Sequence, residues 1–538
     1  MSIATYRVLV TDGVDAEGVA VLTAVPAFRV DEVPTLPAAE LAERIADYDA
    51  IVGRSATRVS AELLRRATRL RVVGRAGVGV DNVAIDAATE LGIAVINAPA
   101  GNTVAVAELL FGSLLGLIRK IPLATTSMHA GRWERAHLMG NELNGRRLGI
   151  VGVGRIGGEV AVRAHAFGMS LVGYDPYVTD ERFAALRVQR ACTLDDLLGV
   201  ADIVTVHTPL TEETTGMIGA GQMGRLRRGA IVANLARGGI VDEAALVEAL
   251  RSGALGGATL DAYTSEPLTG DHPFRGVPNL LLTPHIGAST QEAQRNVAVD
   301  VCEAVRDALL DNELSRSLNV ATVAGTAWRE VQPALQLAQR SAMVARAMLA
   351  DRGTRAVTRV AIRCGAEFRG NGNVLLGAAA MGALESVVET GRLNLINARP
   401  LAAARGMQLS AIEGVTMVGP YDIEVTLGSA TEEFTVAGAA TPGGAPRLTR
   451  IGPFHVDVNP KQTLVILTNR DVPGVIGRVG TLLGGQAVNI AEYHQARLAQ
   501  GGEALAAVSV DGAVTESTRQ ALLAIPDVLT AAVVRFHA

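Results

Sequence analysis

The chain has 538 residues, a formal net charge of −5 and 3% aromatic residues. That length exceeds one hydrophobic core and predicts about three or four domains. Mild acidity argues against a nucleic-acid or membrane partner, and so few rings argue against base stacking.

The first residues run directly into a strand and lack the pattern of a signal peptide. Strand patterns at 7–11, 50–53, 70–74 and 94–97 alternate with helical patterns at 38–46, 61–67 and 85–91. The alternation predicts a parallel sheet covered on both faces, with ligands at the carboxyl ends of its strands. Two loops fall at such ends. Gly53-Arg54-Ser55-Ala-Thr57 is either an ordinary turn or a guanidinium and two hydroxyls presented to a phosphate or carboxylate. Arg75-Ala-Gly77-Val78-Gly79 lets backbone N–H groups line up as an anion nest. Asn102 or Thr103 caps a long helix over 104–121 that crosses between two lobes. Arg54, Ser55, Gly77, Val78, Gly79 and Asn102 make up the candidate substrate side. Trp133, in a polar loop, anchors either a subunit interface or a small satellite core. The apolar stretch at 104–118 is interrupted by Glu108 and is too short to span a bilayer.

An apolar run at 148–151 then enters Gly152-Val-Gly154-Arg155-Ile156-Gly157, and a helical pattern leaves through 159–166. A second apolar run, at 170–174, ends at Asp175. This is the spacing of a dinucleotide-binding βαβ unit. Gly152 permits the tight turn, Gly154 the approach of a pyrophosphate, and Gly157 close packing of helix on strand. An acid at Asp175 accepts the adenosine ribose hydroxyls and repels a 2′-phosphate, which predicts NAD rather than NADP. His207-Thr208-Pro209 ends the strand at 203–206, where the nicotinamide–ribose would pass. The arginines at 225–228 read as a solvated helix end. Cys192, Cys302 and Cys364 lie far apart, show neither metal nor disulfide spacing, and are expected to be small buried residues in a reducing cytoplasm.

Arg237, Glu266 and His285 follow three successive strand patterns, each flanked by Gly or Pro. Hydride transfer from a 2-hydroxy acid needs these types. A guanidinium clamps the substrate carboxylate in a bidentate fork. An imidazole takes the hydroxyl proton as hydride leaves C2. A carboxylate on the far ring nitrogen orients the imidazole and favours its protonated form.

Here the chain resembles the D-isomer-specific 2-hydroxyacid dehydrogenases. The likeness rests on Asn234-Leu-Ala-Arg237-Gly-Gly-Ile-Val-Asp242-Glu, Thr283-Pro-His285-Ile-Gly-Ala-Ser-Thr290, the 149–157 run and Val80-Asp-Asn-Val83. It covers residues 1 to about 317. It implies a discontinuous substrate-binding domain of 1–98 plus 285–317, with an NAD-binding Rossmann domain inserted at 99–284. It marks Arg237, Glu266 and His285 as catalytic, and sets Arg155, Ile156, Asp175, Thr208, Leu235, Ala236, Asp261, Gly287 and Ala288 around NAD. It also implies a homodimer or homotetramer, with Trp133 and Arg135 reaching a neighbouring subunit.

The C-terminal third begins with a region of helices at 330–349 and 374–388, a strand at 356–363 and a Gly/Ala/Pro-rich loop at 437–446. The expected architecture there is an α+β intervening domain, 318–455. Arg447 and Arg450 are its candidate anion ligands. From 463 on, strand and helix patterns follow a βαββαβ order, a ferredoxin-like sandwich. The Asp471-Val-Pro-Gly474 and Val488-Asn489-Ile490 patterns resemble the ACT regulatory module, giving a last domain at 456–538. By carry-over Asn469, Asp471 and Asn489 are candidates for an effector, L-serine. A dehydrogenase core with these two additions resembles the branch of the family whose long-form members oxidise 3-phospho-D-glycerate. Glyoxylate or hydroxypyruvate reductases, and NAD-sensing regulators on the same scaffold, are the alternatives, and the C-terminal third argues against both.

Overall fold

The computed structural model describes residues 6–321, 323, 327–354, 356–385, 393–414 and 419–536. Four sheets follow one another along them. The first contains β1 (Tyr6–Val10), β2 (Phe28–Glu32), β3 (Ala50–Gly53), β4 (Val72–Arg75) and β5 (Ala94–Asn97), all parallel, in the order β2-β1-β3-β4-β5. Side chains alternate between two faces of a pleated strand, so each strand serves two cores. Val8, Val52, Val72 and Ile96 pack on one face against Val301 and Val305 of the helix Gln291–Leu310. Leu9, Ile51, Val73 and Val95 pack on the other with Leu41 and Leu63. The helix that follows His285 therefore returns to cover the first sheet.

The second sheet is also parallel. It contains β6 (Arg147–Val151), β7 (Ser170–Tyr174), β8 (Gln189–Arg190), β9 (Ile203–Val206), β10 (Ala230–Asn234), β11 (Leu255–Leu260) and β12 (Leu280–Leu282), in the order β12-β11-β10-β9-β6-β7-β8. The order reverses between β6 and β9, and a crevice at such a switch point is where open α/β sheets bind dinucleotides.

The third sheet runs β14-β13-β15-β16-β17-β18, from β13 (Arg359–Cys364), β14 (Gln408–Ile412), β15 (Asp422–Gly428), β16 (Glu433–Ala439), β17 (Arg447–Ile451) and β18 (Phe454–Val458). The fourth is antiparallel, ordered β20-β21-β19-β22, from β19 (Thr463–Arg470), β20 (Asn489–Arg497), β21 (Glu503–Asp511) and β22 (Val528–Arg535), with helices Val475–Gly485 and Glu516–Leu523 in the expected βαββαβ sequence. Val465, Leu467 and Val508 lie under those helices. Leu464, Ile466 and Ala507 face the other way, into the core that includes the helix Trp328–Asp351.

Several expectations are corrected. The helix Ala16–Thr23 and the edge strand β2 stand where no element was predicted. The long helix ends at Ile118, because Lys120 is left-handed (φ 53°), and a separate helix, Ile121–His129, begins with Pro122 in its first turn. The predicted 437–446 loop begins inside β16. The end of the helix predicted at 374–388 falls partly outside the described residues; the helix observed is Gly372–Leu384. Cys192 is exposed, whereas Cys302 and Cys364 are buried, with thiols pushed up to about 12 by burial. Among the described residues no helix is long and apolar enough to cross a membrane.

Candidate active site

The cofactor side is built from the carboxyl ends of β6, β7 and β9. After Val151 the chain turns at Gly152, whose φ of 90° suits glycine. A Cβ on Gly157 would collide with the Gly152 carbonyl, so helix and turn approach as closely as glycine allows. Among the described residues no side chain caps the helix Arg155–Ala166, and Gly154 and Arg155 at its start are exposed. Its first N–H groups and the positive end of its dipole are thus open to an anion. The Asp175 carboxylate accepts the Val153 N–H at 2.9 Å and the Tyr177 N–H at 3.0 Å, which fixes it beside that turn. His207 Nε2 lies 2.9 Å from Thr205 Oγ1, and burial pulls the imidazole down to about 4, so the ring is neutral. His207 Nδ1 and Thr208 Oγ1 are buried without a partner among the described residues. An open helix terminus, an acid beside the turn and two unsatisfied polar atoms fit a dinucleotide.

The chemistry side is built from the ends of β10, β11 and β12. Buried Asn234 accepts the Ala236 N–H at 3.1 Å and donates to the Arg237 carbonyl at 2.8 Å, bracing the turn on which Arg237 stands. The guanidinium donates to the Ala236 carbonyl at 2.7 Å and pairs with Asp81 at 3.4 Å. Glu266 accepts the Tyr263 N–H at 2.9 Å with one oxygen, and its other oxygen is 2.7 Å from His285 Nδ1. Tyr263 donates its hydroxyl to the carbonyls of Leu260 at 3.1 Å and Thr283 at 2.7 Å, tying the Glu266 loop to the strand end before His285. Burial, with Asp261 and Glu266 nearby, pushes that hydroxyl up to about 12, so it remains a donor. Asp261 is buried and accepts from the N–H groups of Ile286 and Gly287, both at 2.8 Å, and from the Thr283 hydroxyl at 2.6 Å. Its two oxygens hold the His285–Ala288 loop in place. With Nδ1 engaged by Glu266, Nε2 of the half-exposed His285 ring is the nitrogen left for a substrate.

The third wall comes from the first sheet. Asp12 accepts the N–H groups of Arg54 (2.8 Å) and Thr57 (2.9 Å) and the hydroxyls of Thr57 and Thr35. Burial raises this carboxyl, but those hydrogen bonds outweigh it and hold it below its ordinary value. Arg54 and the 289–295 segment, including Ser289, Thr290, Gln294 and Arg295, line a groove of about 720 Å³. Ser55 is exposed. Arg75 is pulled down first by burial and then by Arg237, and its Nε is buried without a partner among the described residues. Gly77, Val78 and Gly79 form the loop between Arg75 and Asp81, and Asn97 Nδ2 donates to the Val78 carbonyl at 2.5 Å. Asn102 holds the cap position of the helix Thr103–Ile118 but makes no capping bond; its Oδ1 is buried without a partner among the described residues. Thr103 bonds to the Ala100 carbonyl instead.

The sequence reading missed Arg75, Asp81, Asn234 and Tyr263 as site residues. Arg75 had a legible signal, a strand-end arginine before a glycine loop, like Arg54. Elsewhere, Trp133 is 75% exposed and fills no satellite core. Arg447 is paired with Asp457 and Glu492, and Arg450 with Glu424, so both candidate anion ligands already hold carboxylates. Asn469 is buried and donates to the Arg470 carbonyl, Asp471 accepts from Arg497 and the Gly501 N–H, and Asn489 donates to Asp511. The register sets Asn469 beside Ala504 and Asn489 beside Asp511, at opposite ends of β21. One chain therefore does not bring the three effector candidates together.

Comparisons with known proteins agree with this geometry. Residues 111–287 match the family model "D-isomer specific 2-hydroxyacid dehydrogenase, NAD binding domain". The D-3-phosphoglycerate dehydrogenase of Archaeoglobus fulgidus is 39% identical over 454 residues, 84% of this chain and 85% of the relative. That of Bacillus subtilis is 37% identical over 531 residues, 98% of each chain. Among solved structures, the TT0316 protein of Thermus thermophilus superposes with a TM-score of 0.54 at 36% identity, covering 58% of this chain and 99% of that one. The chain belongs to the D-3-phosphoglycerate dehydrogenases, NAD-dependent oxidoreductases within the D-isomer specific 2-hydroxyacid dehydrogenase family.

Proposed function

We propose that this enzyme oxidises 3-phospho-D-glycerate to 3-phosphohydroxypyruvate with NAD, the first step toward L-serine. The observation that carries the reading is the set of strand ends beside the dinucleotide fold: Arg237, the His285–Glu266 pair 2.7 Å apart, and the cations Arg54 and Arg75 across from them. NAD, held by the 152–157 turn, Asp175 and the 207–209 segment, supplies the hydride acceptor. Arg237 clamps the substrate carboxylate and His285 Nε2 takes the C2 hydroxyl proton. Glu266 holds the ring and offsets the charge it gains. Arg54, Ser55 and Arg75 take the phosphate, with the 77–79 backbone and Asn102 completing the pocket. NADH formation should be much faster with 3-phospho-D-glycerate than with D-glycerate or D-lactate; equal rates would remove the phosphate from the specificity. Asp175→Ala should weaken NAD about tenfold or more, since hydrogen bonds to a charged group contribute about 1.5–3 kcal/mol. It should also raise the NADP-to-NAD ratio of kcat/KM, and an unchanged ratio would sink the role given to Asp175.

The same reading divides the chain into a substrate domain (1–98 and 285–317), an NAD domain (99–284), an intervening domain (318–455) and an ACT domain (456–538), in a cytoplasmic enzyme. Trp133, Met139, Leu123 and Met128 are 75%, 80%, 62% and 55% exposed, and an apolar set of this kind supports a homodimer or homotetramer. Two subunits paired through the last domain would let Asn469 and Asp471 of one share an L-serine molecule with the Asn489 position of the other. Deleting residues 463–538 should abolish any response of the NADH assay to serine while leaving turnover partly intact; a surviving response would put the sensor elsewhere.

A further inference from the structure

The Arg237–Asp81 pair joins the two lobes of the cleft. Asp81 follows β4 of the first sheet and Arg237 follows β10 of the second, and Arg237 Nε lies 3.4 Å from Asp81 Oδ2. The two partners are unequally exposed: 29% for the Arg237 side chain and 79% for Asp81. The clamp is held in the cleft and its counter-ion lies on the water side. The backbone under the pair is Gly79. A Cβ there would collide with the Arg237 guanidinium and stand 3.0 Å from Asp81 Oδ2. Glycine at 79 therefore leaves room for the pair over the same loop that offers its backbone to an anion. The electrostatics point the same way. Arg237 and Arg54 both disfavour the charge on Arg75, while Asp81 favours it. Asp12 is the other carboxylate in this field, but it is already spent on Arg54, Thr57 and Thr35.

We propose that Asp81 is a displaceable counter-ion for Arg237: it neutralises and aims the guanidinium while the site is empty, and the substrate carboxylate takes its place on binding. Asp81 is thus a positioning residue that competes with substrate for the clamp, and the inference rests on the role given to Arg237 above. An exposed ion pair is worth little, so the competition is modest, but it lies directly on the binding equilibrium.

The test is Asp81→Asn in the full-length enzyme, with Asp81→Ser and Asp81→Glu in parallel, followed by NADH formation over a range of NaCl concentrations. Removing the internal competitor should lower KM about three- to five-fold with no rise in kcat, and should steepen the rise of KM with salt. Asp81→Ser should move KM in the same direction, and Asp81→Glu should restore the higher value. An unchanged or raised KM in both neutral variants overturns the proposal, as does a fall in kcat at constant KM, which would mean that Asp81 acts in the bound complex. Each variant is assayed with 3-phospho-D-glycerate and with D-glycerate. Failure of the unaltered enzyme on the first breaks the substrate assignment. The KM ratio on the second still decides the role of Asp81, because both acids carry the carboxylate.

Discussion

Arg237→Ala is expected to lower kcat/KM by roughly 10²- to 10³-fold while NAD still binds. The size follows from the setting. Arg237 is held on a turn braced by Asn234 and backed by the Ala236 carbonyl, so little ordering remains to be done when a carboxylate arrives. Truncating one partner of such a charge pair costs about 2–5 kcal/mol, much of it from leaving the other charge unmatched. The residue has no hydrogen bond to Gly152, Asp175 or His207, and cofactor affinity, read from quenching or enhancement of NADH fluorescence, should therefore stay within a few-fold. Arg237→Lys should recover part of the loss, since an ammonium supplies the charge without the planar fork. Near-normal turnover in Arg237→Ala would remove the residue from the mechanism. A matching loss of NADH binding would show that the turn, and not the clamp, had failed.

What was legible in the sequence is what is local. The dinucleotide unit reads directly because its turn, helix start and acid all lie within 149–175, and Gly152 and Gly157 each answer a steric demand. The three polar strand ends read because Gly and Pro punctuate them. The fourth sheet reads because β19, β21 and β22 each carry an apolar run; β19 is buried at all but its last residue. Less was read from the third sheet, although Asp422-Ile-Glu-Val-Thr-Leu in β15 carries the period of two that marks a half-buried strand. The edge strand β2 is missing from the prediction because it is buried mainly at Phe28 and is otherwise partly exposed. The partnerships are a different matter. No local pattern links Asp81 to Arg237, or the Tyr263 hydroxyl to the Thr283 carbonyl. Those pairings exist only once the parallel sheets have brought distant strand ends together. Asn469, Asp471 and Asn489 came together only through a motif resemblance, which carries no register; the antiparallel register separates them within one chain.

His285→Asn should cost more than any other single change at the site, about 10²- to 10⁴-fold in kcat, the usual worth of a positioned general base. Asparagine keeps a hydrogen-bonding group of similar reach toward Glu266 but cannot accept the hydroxyl proton. KM should therefore move far less than kcat, and a deuterium at C2 of the substrate should show its full isotope effect once this step limits the rate. Glu266→Gln separates the two halves of the pair. Its oxygen can still accept the Tyr263 N–H, but its NH2 then faces His285 Nδ1 and favours the tautomer with the proton on Nε2, and the charge that offsets a protonated imidazole is gone. Its loss in kcat should be large without exceeding that of His285→Asn. The ordering decides the assignment: if Glu266→Gln proves the more damaging of the two, the carboxylate is the proton acceptor and His285 merely relays. If His285→Asn retains more than about a tenth of the original kcat, the base lies elsewhere in the cleft.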